Sequence, residues 1–199
     1  MRRHPDSPCS AATRIEVEVA RPHAGDLLLS YVVTGEIGGV RMPPVGMAAR
    51  TDDLWRHTCF EAFVQAPPGD GYYEFNFAPS TQWAAYRFSS YRSGMVVATE
   101  IAAPAIAVQS GPDCYTLRAS LALDRLSAFP RSASWRLDLS AVIEEVSGGK
   151  SYWALAHPPG DPDFHHSVCF AHELSRFEHE ARKVESTFKA AASPERLWS

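Results

Sequence analysis

Between Trp55 and Asn76 the chain sets aromatic rings, carboxyls, an imidazole, a thiol and an amide at strand spacing. Side chains in a strand alternate between two faces. Trp55, His57, Cys59, Glu61 and Phe63 share one parity, and Thr58, Phe60, Ala62 and Val64 share the other. A turn follows, written Pro67-Pro68-Gly69-Asp70-Gly71. Beyond it Tyr73, Phe75 and Phe77 alternate with Tyr72, Glu74 and Asn76. Pairing the apolar faces buries Phe60, Ala62 and Val64 with Tyr73, Phe75 and Phe77. That leaves Trp55, His57, Glu61, Glu74 and Asn76 together on the opposite face. Rings stack on CH faces, while carboxyls and amides exchange hydrogen bonds with hydroxyls, so the mixture suits a polyhydroxylated ligand. The same composition also describes a solvated sheet face with a few aromatic fillers.

Other chemistry can be read from other groupings. His57-x-Cys59 and His165-His166-x-x-Cys169 supply zinc-type ligands, and in a strand His57 and Cys59 share a face. Their spacings are not those of a zinc motif, and buried thiols with hydrogen-bonded histidines explain them more simply. His57, His157, His165 and His166, with Met42, Met47 and Met95, offer axial ligand types for haem, but no CxxCH attachment sequence is present. Glu61 and Glu74 resemble a glycosidase carboxyl pair only in residue type, because nothing in the sequence fixes their separation.

The elements that must position these residues are strands. Alternating or continuous apolar patterns predict them over 14–19, 26–37, 82–91, 114–123, 135–146, 151–157 and 168–174, besides the hairpin. The segment 95–108 is apolar and broken by Pro104, which suits an edge strand or two short pieces. Gly111-Pro112-Asp113 and Ser147-Gly148-Gly149-Lys150 are turns. About ten short strands with turn signals between them predict an all-β fold, an antiparallel β-sandwich of immunoglobulin-like or jelly-roll type. A short helical turn is expected over 123–129. Residues 177–192 carry Phe177, Ala181, Val184 and Phe188 at helical spacing, which predicts an appended C-terminal helix. The expected organisation is a mobile tail over 1–12, one sandwich domain over 13–175, and the helix with its tail over 176–199. Trp83, Trp135 and Trp153 read as core.

Composition removes some classes of function. The chain has 199 residues, a size suited to one domain with a substantial core. Its formal net charge is −4 with charges scattered along the chain, which argues against a nucleic-acid partner. No apolar run reaches membrane-spanning length, so no membrane partner is expected. The first residues hold no apolar signal-peptide core, and Cys9, Cys59, Cys114 and Cys169 form no CxxC pair. A cytoplasmic protein with reduced thiols is the expectation.

Three blocks carry a family likeness. They are Leu54-Trp55 with Phe60-Glu61-Ala62-Phe63, Tyr72-Tyr73-Glu74-Phe75-Asn76, and Tyr152-Trp153-Ala154 followed by Pro162-Asp163-Phe164-His165-His166 and Phe170. In this order and spacing the chain resembles the DOMON-like β-sandwich group, and within it the family-nine carbohydrate-binding modules. The resemblance implies two antiparallel sheets and a terminal sugar held between two aromatic rings, matched by Trp55 and Phe164. A phenylalanine stands at the second position, where the family carries tryptophan. It further implies that Glu61 bonds sugar hydroxyls, with Glu74, Asn76 and Asp161 as further polar contacts.

The resulting expectation is a non-catalytic domain binding a carbohydrate, a small sugar or glycan end, with no cofactor and no metal. The alternatives are a haem-binding electron-transfer domain of DOMON type and a partner-binding domain with no small ligand.

Overall fold

The computed structural model describes residues 1–23, 25–123 and 133–175. The expected helical turn over 123–129 falls almost wholly outside them, and the C-terminal helix falls entirely outside.

Among the described residues twelve strands form two antiparallel sheets. In chain order they are β1 (Arg2–Arg3), β2 (Ala12–Ala20), β3 (Asp26–Gly35), β4 (Cys59–Gln65), β5 (Tyr72–Phe77) and β6 (Trp83–Phe88). There follow β7 (Val96–Val97), β8 (Ala105–Ser110), β9 (Cys114–Ala122), β10 (Trp135–Glu144), β11 (Lys150–Ala154) and β12 (His172–Leu174). The larger sheet has the order β1-β11-β10-β4-β5-β6-β7, with β12 also pairing β10; the smaller has the order β2-β3-β9-β8. The all-β sandwich expected from the alternation is therefore present.

The hairpin register follows from which face is buried. Phe60 pairs Phe77, Ala62 pairs Phe75 and Val64 pairs Tyr73. All six lie in the core between the sheets, with Leu27, Leu29, Tyr31, Leu117 and Leu139. Each fully buried large side chain contributes about 1.5–3 kcal/mol. A slip of one residue would turn this row to the other face, so the core fixes the register. Tyr31 on β3 also donates its hydroxyl to the Glu61 carbonyl across the core at 2.7 Å. Trp83, Trp135 and Trp153 are buried as expected.

Residues 1–12 differ from the expected mobile tail. Arg2 and Arg3 pair Ala154 and Trp153 at the free edge of β11. The Met1 ammonium donates to the Ile15 carbonyl at 2.8 Å, and His4 is buried against the Gly160 carbonyl at 2.9 Å. Glu145 Oε1 accepts from the Ser10 amide at 2.7 Å and from the Ala11 amide at 2.8 Å. Those donors, with the Ser10 hydroxyl and the Cys9 thiol, hold the Glu145 carboxyl down at about 2. The Ala11 carbonyl packs so close to Gly35 (φ 147°) that a Cβ there would meet it at 2.0 Å. Composition suggested a tail because the docking partners of this segment lie elsewhere in the chain.

Candidate functional site

The outer face of the larger sheet is the one that matters for chemistry. Its register sets Ala154, Ser140, Glu61, Asn76 and Ala84 in one cross-strand row. The next row runs Asp138, Phe63, Glu74, Tyr86 and Val97. Small side chains therefore flank Glu61, while aromatic ones stand further out. Tyr152 on β11 and Tyr86 on β6 lie four strand intervals apart, about 19 Å at the usual inter-strand spacing.

This face is covered only in part. Phe63, Tyr72, Tyr86, Phe88, Phe164 and Phe170 belong to a second buried apolar cluster upon it. Beside that cluster a cavity of 640 Å³ opens, within the usual range for a small-molecule site. Glu61 and Glu74 line it at the sheet. Trp55, Tyr86, Phe88, Tyr152 and Phe164 supply its aromatic surface, and Arg92 and His165 line it from the surrounding loops.

The carboxyls are deeply buried. Glu61 is 3% exposed, and its Oε1 has no hydrogen-bond partner among the described residues. Burial, then the charges of Glu74 and Asp138, push its carboxyl well above the usual range, with the Ser140 hydroxyl opposing. Neither carboxyl oxygen of Asp138, nor Ser140 Oγ, has a well-formed hydrogen bond among the described residues. Burial likewise pushes Asp138 well up; the Leu155 and Leu139 amides only partly offset it. Glu74 Oε1 accepts from Asn76 Nδ2 at 2.6 Å. Burial raises Glu74 to about 7, against the Asn76 hydrogen bond and the Arg92 charge.

A second polar chain builds the wall. The Tyr72 hydroxyl and His165 Nδ1 are 2.8 Å apart, and the Arg92 amide donates to the same hydroxyl at 3.2 Å. Arg92 Nη2 donates to Asp163 Oδ1 at 2.7 Å, and the Tyr91 hydroxyl donates to Oδ2 of the same carboxylate. The loops at 89–93 and 162–166 are thereby tied together across the sheet. His165 sits edge-on to Phe63 at 5.0 Å and to Phe88 at 5.1 Å. Burial, with the Arg92 charge, lowers it to about 4.

The sequence-derived site is partly assembled. Trp55, Glu61, Glu74 and Phe164 line one cavity. Asn76 is fully buried beneath it, bonding Glu74 and accepting from the Cys59 thiol at 3.5 Å. Asp161 is exposed and outside the lining; Asp163, two residues on, carries the loop's ion pair. Strand parity does not hold for Trp55 and His57, because β4 begins only at Cys59. Trp55 lies on the 3-10 turn Leu54–Arg56, 46% exposed, with the Arg56 guanidinium 5.2 Å from its ring centroid. His57 is exposed and pairs with Glu144 at 2.7 Å, away from the buried Cys59. Among the described residues no group of three or more His, Cys, Asp or Glu is placed to hold a metal ion. The arginines near this face pair with other carboxylates: Arg92 with Asp163, and Arg87 with Glu100 at 3.8 Å.

A solved structure shares this fold. A "putative carbohydrate-binding protein" from Bacteroides uniformis superposes with a TM-score of 0.57 at 15% identity, covering 78% of this chain and 75% of that one. A family 9 carbohydrate-binding module from Caldicellulosiruptor kristjanssonii, in complex with glucose, gives a TM-score of 0.39 at 14% identity, covering 76% and 72%. The same module in complex with cellotriose gives 0.39 at 14%, covering 76% and 70%. At this identity the likeness is one of fold. No protein-family model and no curated protein matches the chain.

Residues missed in the sequence are Tyr86, Phe88, Tyr152, Asp138 and Ser140. The last two carried a usable signal, since Asp138, Ser140 and Val142 share a parity within β10, opposite Leu137, Leu139 and Ala141.

The raised Glu74 carboxyl gives a pH dependence with a definite sign. Between 4.5 and about 7 the native state holds a proton on Glu74 that the unfolded chain has released. Stability from this group is complete below 4.5 and is lost as pH rises through about 7. Relative to Glu74→Gln, which cannot titrate, the wild type is expected to lose several degrees of melting temperature across that window and none beyond it. Calorimetric scans of both proteins at constant ionic strength check this.

Proposed function

We propose that the protein is a non-catalytic carbohydrate-binding domain whose 640 Å³ cavity holds a sugar ring or glycan end. The observation that carries this reading is Glu61, a buried carboxyl that lines an aromatic-walled cavity at the sheet. A sugar hydroxyl exchanges a hydrogen bond with that carboxyl, and the CH faces of its ring meet the aromatic rings. Glu74, held in place by Asn76, is the second hydroxyl partner. At the rim Arg92 is paired with Asp163 and Arg56 with Asp53, while Lys150 donates to the Arg56 carbonyl. The fold shared with a solved structure described as carbohydrate-binding supports the reading without identifying the sugar.

Titration calorimetry against mono- and disaccharides tests it, comparing wild type with Trp55→Ala. Trp55 is the most exposed ring of the cavity, so its loss should not affect folding. Binding is expected to weaken about 10-fold, the effect of losing one aromatic contact of about 1–1.5 kcal/mol. No saturable heat with any saccharide would refute the proposal.

A further inference from the structure

Both sheets are open, and all their edges but one are protected. The larger sheet ends in strands of two or three residues, β1 and β12 on one side and β7 on the other. At one edge of the smaller sheet β2 carries Arg14, Glu16 and Glu18, and the Met1 ammonium occupies its Ile15 carbonyl. Short strands, charges and covering segments are the devices that keep sheet edges from pairing. At the other edge β8 has none of them. It runs Ala-Ile-Ala-Val-Gln-Ser over six residues without a charge or a proline, and among the described residues it pairs only with β9.

We propose that β8 is an interface between two copies of this chain, paired antiparallel across a two-fold axis at Ala107 so that their smaller sheets become one continuous sheet.

Side-chain direction chooses both the partner and the centre. Ile106 and Val108 point inward onto the core but are only half-buried, whereas Ala119 and Leu117, which pair with them on β9, are buried. Ala105, Ala107 and Gln109 point outward and are exposed. A two-fold axis perpendicular to the sheet keeps inner residues opposite inner ones, so residues of like parity face each other. Centring on Ala107 sets Ile106 against Val108 of the second copy, and Val108 against its Ile106. The two side chains left half-buried at the edge then cover one another. Centring on Val108 would instead set Ile106 against Ser110. Ala107 meets its own counterpart at the axis, where two methyl groups neither clash nor repel. Arg118, opposite Ala107 on β9, would stand about 14 Å from its counterpart, beyond the screening length at physiological salt. A single pair of six-residue strands is a small contact, so the dimer is weak and concentration-dependent.

Sedimentation equilibrium from micromolar to millimolar protein tests this. The weight-average mass of wild type is expected to rise from the monomer value toward twice that value. Ala107→Lys and Ala107→Asp, at an exposed position and each confirmed folded by circular dichroism, should weaken association at least about 10-fold, because like charges then meet at the axis. An equimolar mixture of the two should associate more tightly than either alone, a recovery that general damage to β8 would not give. Wild type that stays monomeric at every concentration would overturn the inference and leave the edge to a strand of another protein. A dimer that Ala107→Lys leaves intact, or a mixture no tighter than its components, would also overturn it. The carbohydrate reading stands or falls separately, since no residue of β8 lines the 640 Å³ cavity.

Discussion

Glu61→Ala is expected to weaken saccharide binding about 10-fold while leaving the melting temperature at pH 8 unchanged or higher. A hydrogen bond between neutral groups contributes about 0.5–1.5 kcal/mol, which is roughly 2- to 13-fold in Kd. Glu61, whose neutral form burial favours, offers such a bond where it lines the cavity at the sheet. The stability side follows from the same environment. The carboxyl is buried beside Glu74 and Asp138, so its charged form is disfavoured in the folded chain and tolerated in the unfolded one. Removing it relieves a cost, whereas most substitutions of buried residues destabilise. Glu61→Gln keeps the volume and should show the same separation with a smaller loss of binding. Paired calorimetric titrations and thermal scans check both halves. Loss of stability and binding in parallel would mean that Glu61 has a structural role only.

Trp135→Ala is expected to destabilise the fold by about 3–5 kcal/mol, the range for deleting a buried large aromatic side chain. For a protein of this size that corresponds to a fall in melting temperature of roughly 10 °C. Trp135 opens β10, pairs Leu174 on β12 and is fully buried in the core between the sheets. The Arg21 guanidinium lies 3.7 Å from its ring centroid, and Arg21 donates to the Ala133 carbonyl at 2.8 Å. Arg21 directly follows β2 of the smaller sheet, so this contact joins the two layers at one edge. Denaturant titration of Trp135→Ala measures the effect. A cost below about 1 kcal/mol would show that the cavity collapses or that the contact contributes little.

The hairpin was legible because its two faces differ so sharply. Phe60, Ala62 and Val64 against Tyr73, Phe75 and Phe77 can be buried in only one register, and that register also places Glu61 opposite Asn76 and Phe63 opposite Glu74. Alternation gave the floor of the cavity for the same reason. It misplaced Trp55, because a strand pattern looks the same whether the chain extends or turns at Leu54–Arg56. Asp161 was chosen by distance along the chain from Phe164, whereas Asp163 is the carboxylate that meets Arg92. That ion pair joins positions 71 residues apart, and no local pattern encodes it. The docking of residues 1–12 was hidden likewise, since its partners, Trp153, Gly160 and Glu145, come late in the chain.

The most direct test is a crystal structure with the saccharide that binds most tightly in the titrations. The account predicts a sugar ring in the 640 Å³ cavity, against its aromatic rings. One hydroxyl should lie about 2.5–3.0 Å from an oxygen of the Glu61 carboxyl. A ring bound elsewhere, or one in the cavity that makes no hydrogen bond with the Glu61 carboxyl, would contradict it.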